Sequence, residues 1–149
     1  MRLLSLCLLL ALCACAGNRP AQPAADTAAH GAVRPLPQSV QLLKEADRLA
    51  DQVKAGHLTR VEAADELNIY RLRLVGANGV DDATFATYRT LAVARDAGSI
   101  TSEAAQARML ARLRDVQRRW PGMAHRPADP AFTNFLLKVY DLPALENHK

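Results

Sequence analysis

Between positions 38 and 141, apolar residues recur at spacings of three and four, the period of helices that bury one face. Val40, Leu43, Ala46, Leu49, Ala50 and Val53 form the first such stripe, with Ser39 placed to cap its start and Gly56 to end it. The next helix is predicted to open at Thr59, where Glu62 three residues on completes a capping box, and to bury Ala63, Leu67, Tyr70 and Leu74 before Gly76, Asn78 and Gly79. A third begins at Asp81 or Asp82, turns Phe85, Tyr88, Leu91 and Ala92 inward, and closes at Gly98. Thr101 opens a fourth with Ala105, Met109, Leu113, Val116 and Trp120 on one side, ended by Pro121 and Gly122. A short last helix after Pro130 is expected to bury Phe132, Phe135, Leu136, Val139 and Tyr140. No segment alternates apolar and polar residues long enough to make a strand. The expected fold is therefore all α: a small bundle of four main helices, arranged as two antiparallel hairpins, plus a short C-terminal helix.

The two hairpins match each other. Ala55-Gly56-His57-Leu58-Thr59 aligns with Ala97-Gly98-Ser99-Ile100-Thr101, and the match extends to Leu49-Ala50 over Leu91-Ala92, Ala63 over Ala105, Leu67 over Met109 and Leu74 over Val116. An internal duplication explains this, and so does convergence on good helix caps; both predict the same four helices. The junction resembles the short helical oligomerisation modules of bacterial proteins, in which a glycine, an aliphatic residue and Thr or Ser join two helices and a Glu follows. That resemblance implies a capacity for self-association.

The first dozen residues depart from this pattern. Arg2 precedes a run of Leu3, Leu4, Leu6, Leu8, Leu9, Leu10 and Leu12, which is how an export signal is built. The run is short of the roughly 20 residues that span a bilayer. It ends in Leu12-Cys13-Ala14-Cys15, which resembles the processing motif of bacterial lipoproteins, with Cys13 standing where Ala or Ser is commoner. The resemblance implies cleavage before Cys15 and acyl chains on that cysteine, so the partner on this side of the molecule is a membrane. Several chains give stable attachment where one would be marginal. Ala16 instead of Asp after the cysteine implies transfer to the outer membrane, facing the periplasm. The chain then divides into a signal at 1–14, a lipidated Cys15 with an Ala/Pro-rich tether at 15–37, a helical domain at 38–141 and a tail at 142–149. As a flexible coil the 22 residues from Ala16 to Pro37 average about 25 Å end to end, and about 70 Å if fully polyproline-like.

Composition narrows the chemistry. All three cysteines, Cys7, Cys13 and Cys15, precede the domain, so no disulfide framework holds it. Of 19 basic and 15 acidic side chains, Arg2 leaves with the signal, and the net charge of +3 that remains gives no reason to expect nucleic acid. His30, His57, His125 and His148 are dispersed, which gives no metal site and no cofactor to expect. No nucleophile motif or phosphate-cradling glycine loop occurs, so no catalytic residues are nominated. Asp65 with Glu66 diverge on a helix, and Asp81 with Asp82 suit a helix start, where the dipole favours acids.

Arginines are the most suggestive charged feature. Arg108 and Arg112 are one turn apart on the fourth helix, Arg114, Arg118 and Arg119 follow, and Arg71 and Arg73 join them from the second. Arg108, Arg112, Arg118 and Arg119 are the candidate site for anionic headgroups or an acidic protein or envelope partner, because guanidinium pairs bidentately with phosphate and carboxylate. The plainer account is a solvated helix face whose last turn complements the dipole. Trp120 and the aromatics from Phe132 to Tyr140 suit a docking surface or, in so small a bundle, the core. Three functional readings stand: a tethered binding or envelope-structural domain, an enzyme or enzyme modulator acting on the cell envelope, and a self-assembling helical module that forms homo-oligomers.

Overall fold

A computed structural model of the chain describes residues 36–147. The segment expected to be an export signal, Cys15, the expected tether up to residue 35, His30 and His148 lie outside the described residues. Among those described, the fold is all α. It comprises α1 (Gln38–Lys54), α2 (Arg60–Val75), α3 (Gly79–Asp96) and α4 (Ser102–Arg119), then a 3-10 turn (Trp120–Gly122) and α5 (Ala131–Val139).

The hairpin junctions are built as the sequence predicts. Thr59 accepts the Glu62 N–H while the Glu62 carboxylate accepts the Thr59 N–H, and Thr101 likewise accepts the Ala104 N–H. Gly56 and Gly98 take φ of 74° and 66°, a left-handed conformation that ends a helix with little strain only in glycine. Ala55, Gly56 and His57 donate to the carbonyls of Asp51, Val53 and Gln52; Ala97, Gly98 and Ser99 repeat the pattern on Val93, Arg95 and Ala94. These backbone donor and acceptor positions coincide when the hairpins are overlaid, while the Glu62 half of the capping box has no counterpart, since Ala104 stands at the matched position.

Two helix starts differ from expectation. Ser39 lies inside α1, because Pro37, fixed in extended conformation, already offers its carbonyl to the Val40 and Gln41 N–H groups at 2.9 and 3.1 Å. Asn78, not Asp81 or Asp82, caps α3, its side chain accepting the Asp81 N–H at 2.9 Å.

Helix α2 packs between α1 and α3, α3 packs on α4, and α5 packs on α1, α3 and α4. Helices α1 and α4 do not pack closely on each other, so the bundle has one open side. Helix α5 fills that side at the end away from the hairpin junctions. There Phe132 is fully buried, with its ring centroid 5.7 Å from Phe85, 5.9 Å from Tyr88 and 5.6 Å from Phe135. The two near-perpendicular contacts suit the aromatic quadrupole, worth about 0.5–1.5 kcal/mol per pair beyond area burial.

Because α5 is surrounded by three helices, its buried face is broad: Leu137 is fully enclosed, and Val139, expected inside, is 50% exposed. Helix α5 ends in a third left-handed turn, carried by Asp141 at φ 53°, with Asp141 and Leu142 donating to the carbonyls of Lys138 and Leu137. Trp120 is buried, so this aromatic belongs to the core. Residues 142–147 continue against the bundle. Leu145 is buried and its N–H reaches Asn134 Oδ1 at 2.7 Å, while Trp120 Nε1 donates to the Glu146 carbonyl at 2.9 Å.

Candidate functional site

Where α5 stops short, the open side of the bundle forms a cleft of about 370 Å³ at the junction end, within the range of small-molecule sites. Its walls come from matched positions of the two hairpins. Leu49 stands opposite Leu91 in the alignment, Ala50 opposite Ala92, Ala63 opposite Ala105 and Leu67 opposite Met109, and all eight line the cleft. The cleft therefore lies between the two hairpins, with equivalent positions of each in its wall. Small alanines at four of these positions leave the space that larger side chains would fill.

Two further matched pairs also line it but break the symmetry. Ala46 in the first hairpin corresponds to Tyr88 in the second, and Val53 corresponds to Arg95. Tyr140, from the end of α5, adds a second phenol, and Lys54, Arg60 and Gln106 complete the polar part of the lining. No carboxylate lines the cleft.

The three cations differ in their partners. Lys54 pairs with Asp51 at 3.0 Å in an exposed contact, and Arg60 pairs with Asp96 at 3.0 Å. Asp96 also accepts the Val61 N–H at 2.9 Å; although desolvation pushes the other way, these contacts hold its carboxyl below the ordinary range. Arg95 donates to the Ser102 hydroxyl at 2.8 Å and meets no carboxylate within ion-pair distance among the described residues. Burial pushes the Tyr88 and Tyr140 hydroxyls above the ordinary phenol range, and the Arg95 charge opposes the rise at both, which puts all three groups in one neighbourhood. The arrangement is an apolar trough with two protonated phenols and one guanidinium that forms no ion pair among the described residues, although the Glu103 carboxyl, outside the lining, feels its charge.

The candidate arginines lie elsewhere. Arg112, Arg118 and Arg119 gather on one carboxylate, Asp115, at 3.7, 2.9 and 3.0 Å. Arg108 is exposed a turn earlier, beside a shallow groove with Thr87 and Thr90 of α3. Arg71 does not join them. It is 2% exposed, donates to Asn68 Oδ1 and Asp82 Oδ1, and its guanidinium lies 5.7 Å from the Phe85 ring and 5.9 Å from the Phe132 ring. Arg71 follows Leu67 by four residues and so shares its buried face over the aromatic cluster, while Arg73, two residues on, is exposed.

Asp81 and Asp129 bring two carboxylates close together at the start of α3. Asp81 is fully buried at the start of α3, where it accepts the Phe132 and Thr133 N–H groups at 3.2 and 2.8 Å and the Thr133 hydroxyl at 2.8 Å. Asn78 Nδ2 adds a fourth donor at 2.9 Å. Asp129 nearby has its carboxyl pushed up by desolvation and then by the Asp81 charge. The Asp81 oxygens are thus committed to capping α5, whose first turn has no cap of its own. Among the described residues, no three His, Cys, Asp or Glu side chains assemble as a metal site requires.

Sequence reasoning passed over Arg95, Tyr88 and Tyr140 as cleft residues. For the first two the signal was present: aligning the hairpins puts an arginine and a tyrosine where the first hairpin has valine and alanine. Comparison with protein-family models, with curated proteins and with solved structures gives no match for this chain.

Proposed function

We propose that the chain is a bacterial envelope lipoprotein, anchored through acyl chains on Cys15, whose helical domain acts by binding and has no catalytic centre. The anchor places it on the outer membrane facing the periplasm, and the tether lets the domain stand off the lipid surface. The observation that carries the binding reading is the cleft between the hairpins, lined by apolar side chains, three cations and two phenols, with no carboxylate to serve as acid, base or nucleophile. Among the described residues no helix is long and apolar enough to cross a membrane, which leaves attachment to the N-terminal segment.

Replacing Cys15 with serine tests the anchor. Cys15→Ser is expected to move the protein from the membrane to the soluble fraction with its helical circular dichroism unchanged. A mature chain that begins elsewhere, or begins at residue 15 without added hydrocarbon mass, would overturn the assignment.

A further inference from the structure

We propose that the cleft holds the alkyl chain of a single-chain anionic amphiphile, with its head group paired to Arg95 at the mouth. The proposal rests on the binding reading above and names the ligand class for that site.

Size, shape and charge each point the same way. The walls that the hairpins contribute in matched pairs are aliphatic, from Leu49 and Leu91 down to Leu67 and Met109, and offer no directed hydrogen bond. An elongated apolar ligand is what such walls accept. At about 370 Å³ the cleft lies near the lower end of small-molecule sites, which suits one alkyl chain better than two. Polar groups enter only where the second hairpin departs from the first. Arg95 replaces the valine of the matched position and has no carboxylate partner among the described residues, unlike Lys54 and Arg60. A guanidinium without an ion-pair partner beside an apolar trough is complementary to a carboxylate or phosphate at the end of a hydrocarbon chain, and Glu103, whose carboxyl feels the Arg95 charge, lies outside the cleft lining. Tyr88 and Tyr140 stay protonated at neutral pH and are donors to the same head group. A neutral ligand would leave Arg95 unused, and a cationic one would meet Lys54, Arg60 and Arg95 together.

Calorimetric titration of the full-length Cys15→Ser chain, which has no acyl chains of its own to compete, tests this with sodium carboxylates of increasing length. A buried methylene contributes about a fourfold gain in affinity. Affinity should therefore rise by about fifteenfold per two carbons from octanoate to dodecanoate, then level off as the cleft fills. Arg95→Gln should weaken dodecanoate by about tenfold and leave dodecanol unchanged. Ala50→Trp, at an exposed position on the cleft mouth, should abolish binding of both without loss of helicity.

No uptake of dodecanoate by the folded protein would overturn the proposal. So would equal binding of dodecylammonium, or dodecanoate affinity indifferent to Arg95→Gln. A dimer that Ala50→Trp dissociates, with no dodecanoate bound, would assign the cleft to a second copy of the chain instead. Because the titration uses an unanchored protein, its failure would leave the lipid anchor standing, and loss of the anchor would leave the titration standing.

Discussion

The two ends of the bundle are built from the same pair of hairpins and finished differently. At the α5 end the space between α1 and α4 is closed by Phe132 and its aromatic neighbours, and the buried charges there are held by polar partners, Arg71 by Asn68 and Asp82, Asp81 by Asn78, Thr133 and the α5 backbone. At the junction end the matched positions hold alanine, the space stays open, and the charges stand at a rim. The difference lies in what each end adds to the repeated frame. One end receives a fifth helix and the carboxylate that holds it; the other receives only Tyr140. The repeated frame is thus closed by aromatic packing at one end and left with an alanine-lined cleft at the other, whose inner walls, Leu49, Leu67 and Met109 among them, are part of the core itself.

The strongest test of that division is Asp81→Ala. It leaves the Phe132 and Thr133 N–H groups buried with no acceptor, and such groups cost about 1–3 kcal/mol each. With the lost capping of α5, the fold should be destabilised by on the order of 4 kcal/mol in urea unfolding. A loss no larger than a surface substitution gives would mean that this carboxylate is not what fastens α5.

A smaller effect sharpens the symmetry. Gly56→Ala and Gly98→Ala each force a methyl side chain into the left-handed region, with open space around both. Each should cost about 1 kcal/mol, and the two costs should agree. Unequal costs would show that the junctions, alike in hydrogen bonding, are not alike in energy.

The smallest expected effect is titratable. Burial first, and the Asp81 charge second, raise the Asp129 carboxyl, so ionisation is less favourable in the folded chain than in the unfolded one. This side chain therefore subtracts stability as pH rises from the unfolded value through the folded one, and the loss is complete above both. Asp129→Asn should melt slightly above the wild type at neutral pH, with the gap closing in acid. Glu45, Asp65 and Asp96 are lowered by their arginine and backbone partners and slope the opposite way, so the reading is the difference between the two proteins.

Much of the frame was legible in the sequence because it is local. Thr59 with Glu62, Thr101, and the glycines at 56 and 98 act within one helix turn, and the stripe from Ala105 to Trp120 is buried as its period requires. What escaped is what joins residues far apart. Asp81 and Thr133 are 52 positions apart, and no spacing rule connects a helix start to the cap of another helix. Arg71 follows Leu67 by one turn and has a charged residue's surface preference, yet the aromatic rings of Phe85 and Phe132 offer it a buried cation–π position. Val139 and Leu137 exchange places because α5 is enclosed by several helices and not by one. The cleft itself is an absence of packing between α1 and α4, and no residue announces it. Its polar groups were visible only as the positions where one hairpin fails to match the other.

Amide hydrogen exchange on the full-length Cys15→Ser chain, with and without dodecanoate, tests most directly whether the two ends divide these roles. Amides of Phe132–Val139 and Asp81–Phe85 are predicted to exchange only through global unfolding and to slow with dodecanoate as overall stability rises, while Val53–Lys54 and Arg95–Asp96 open locally, exchange faster than that limit without ligand, and slow on binding. Protection that is uniform along the bundle, or a ligand effect centred on α5, would contradict the account.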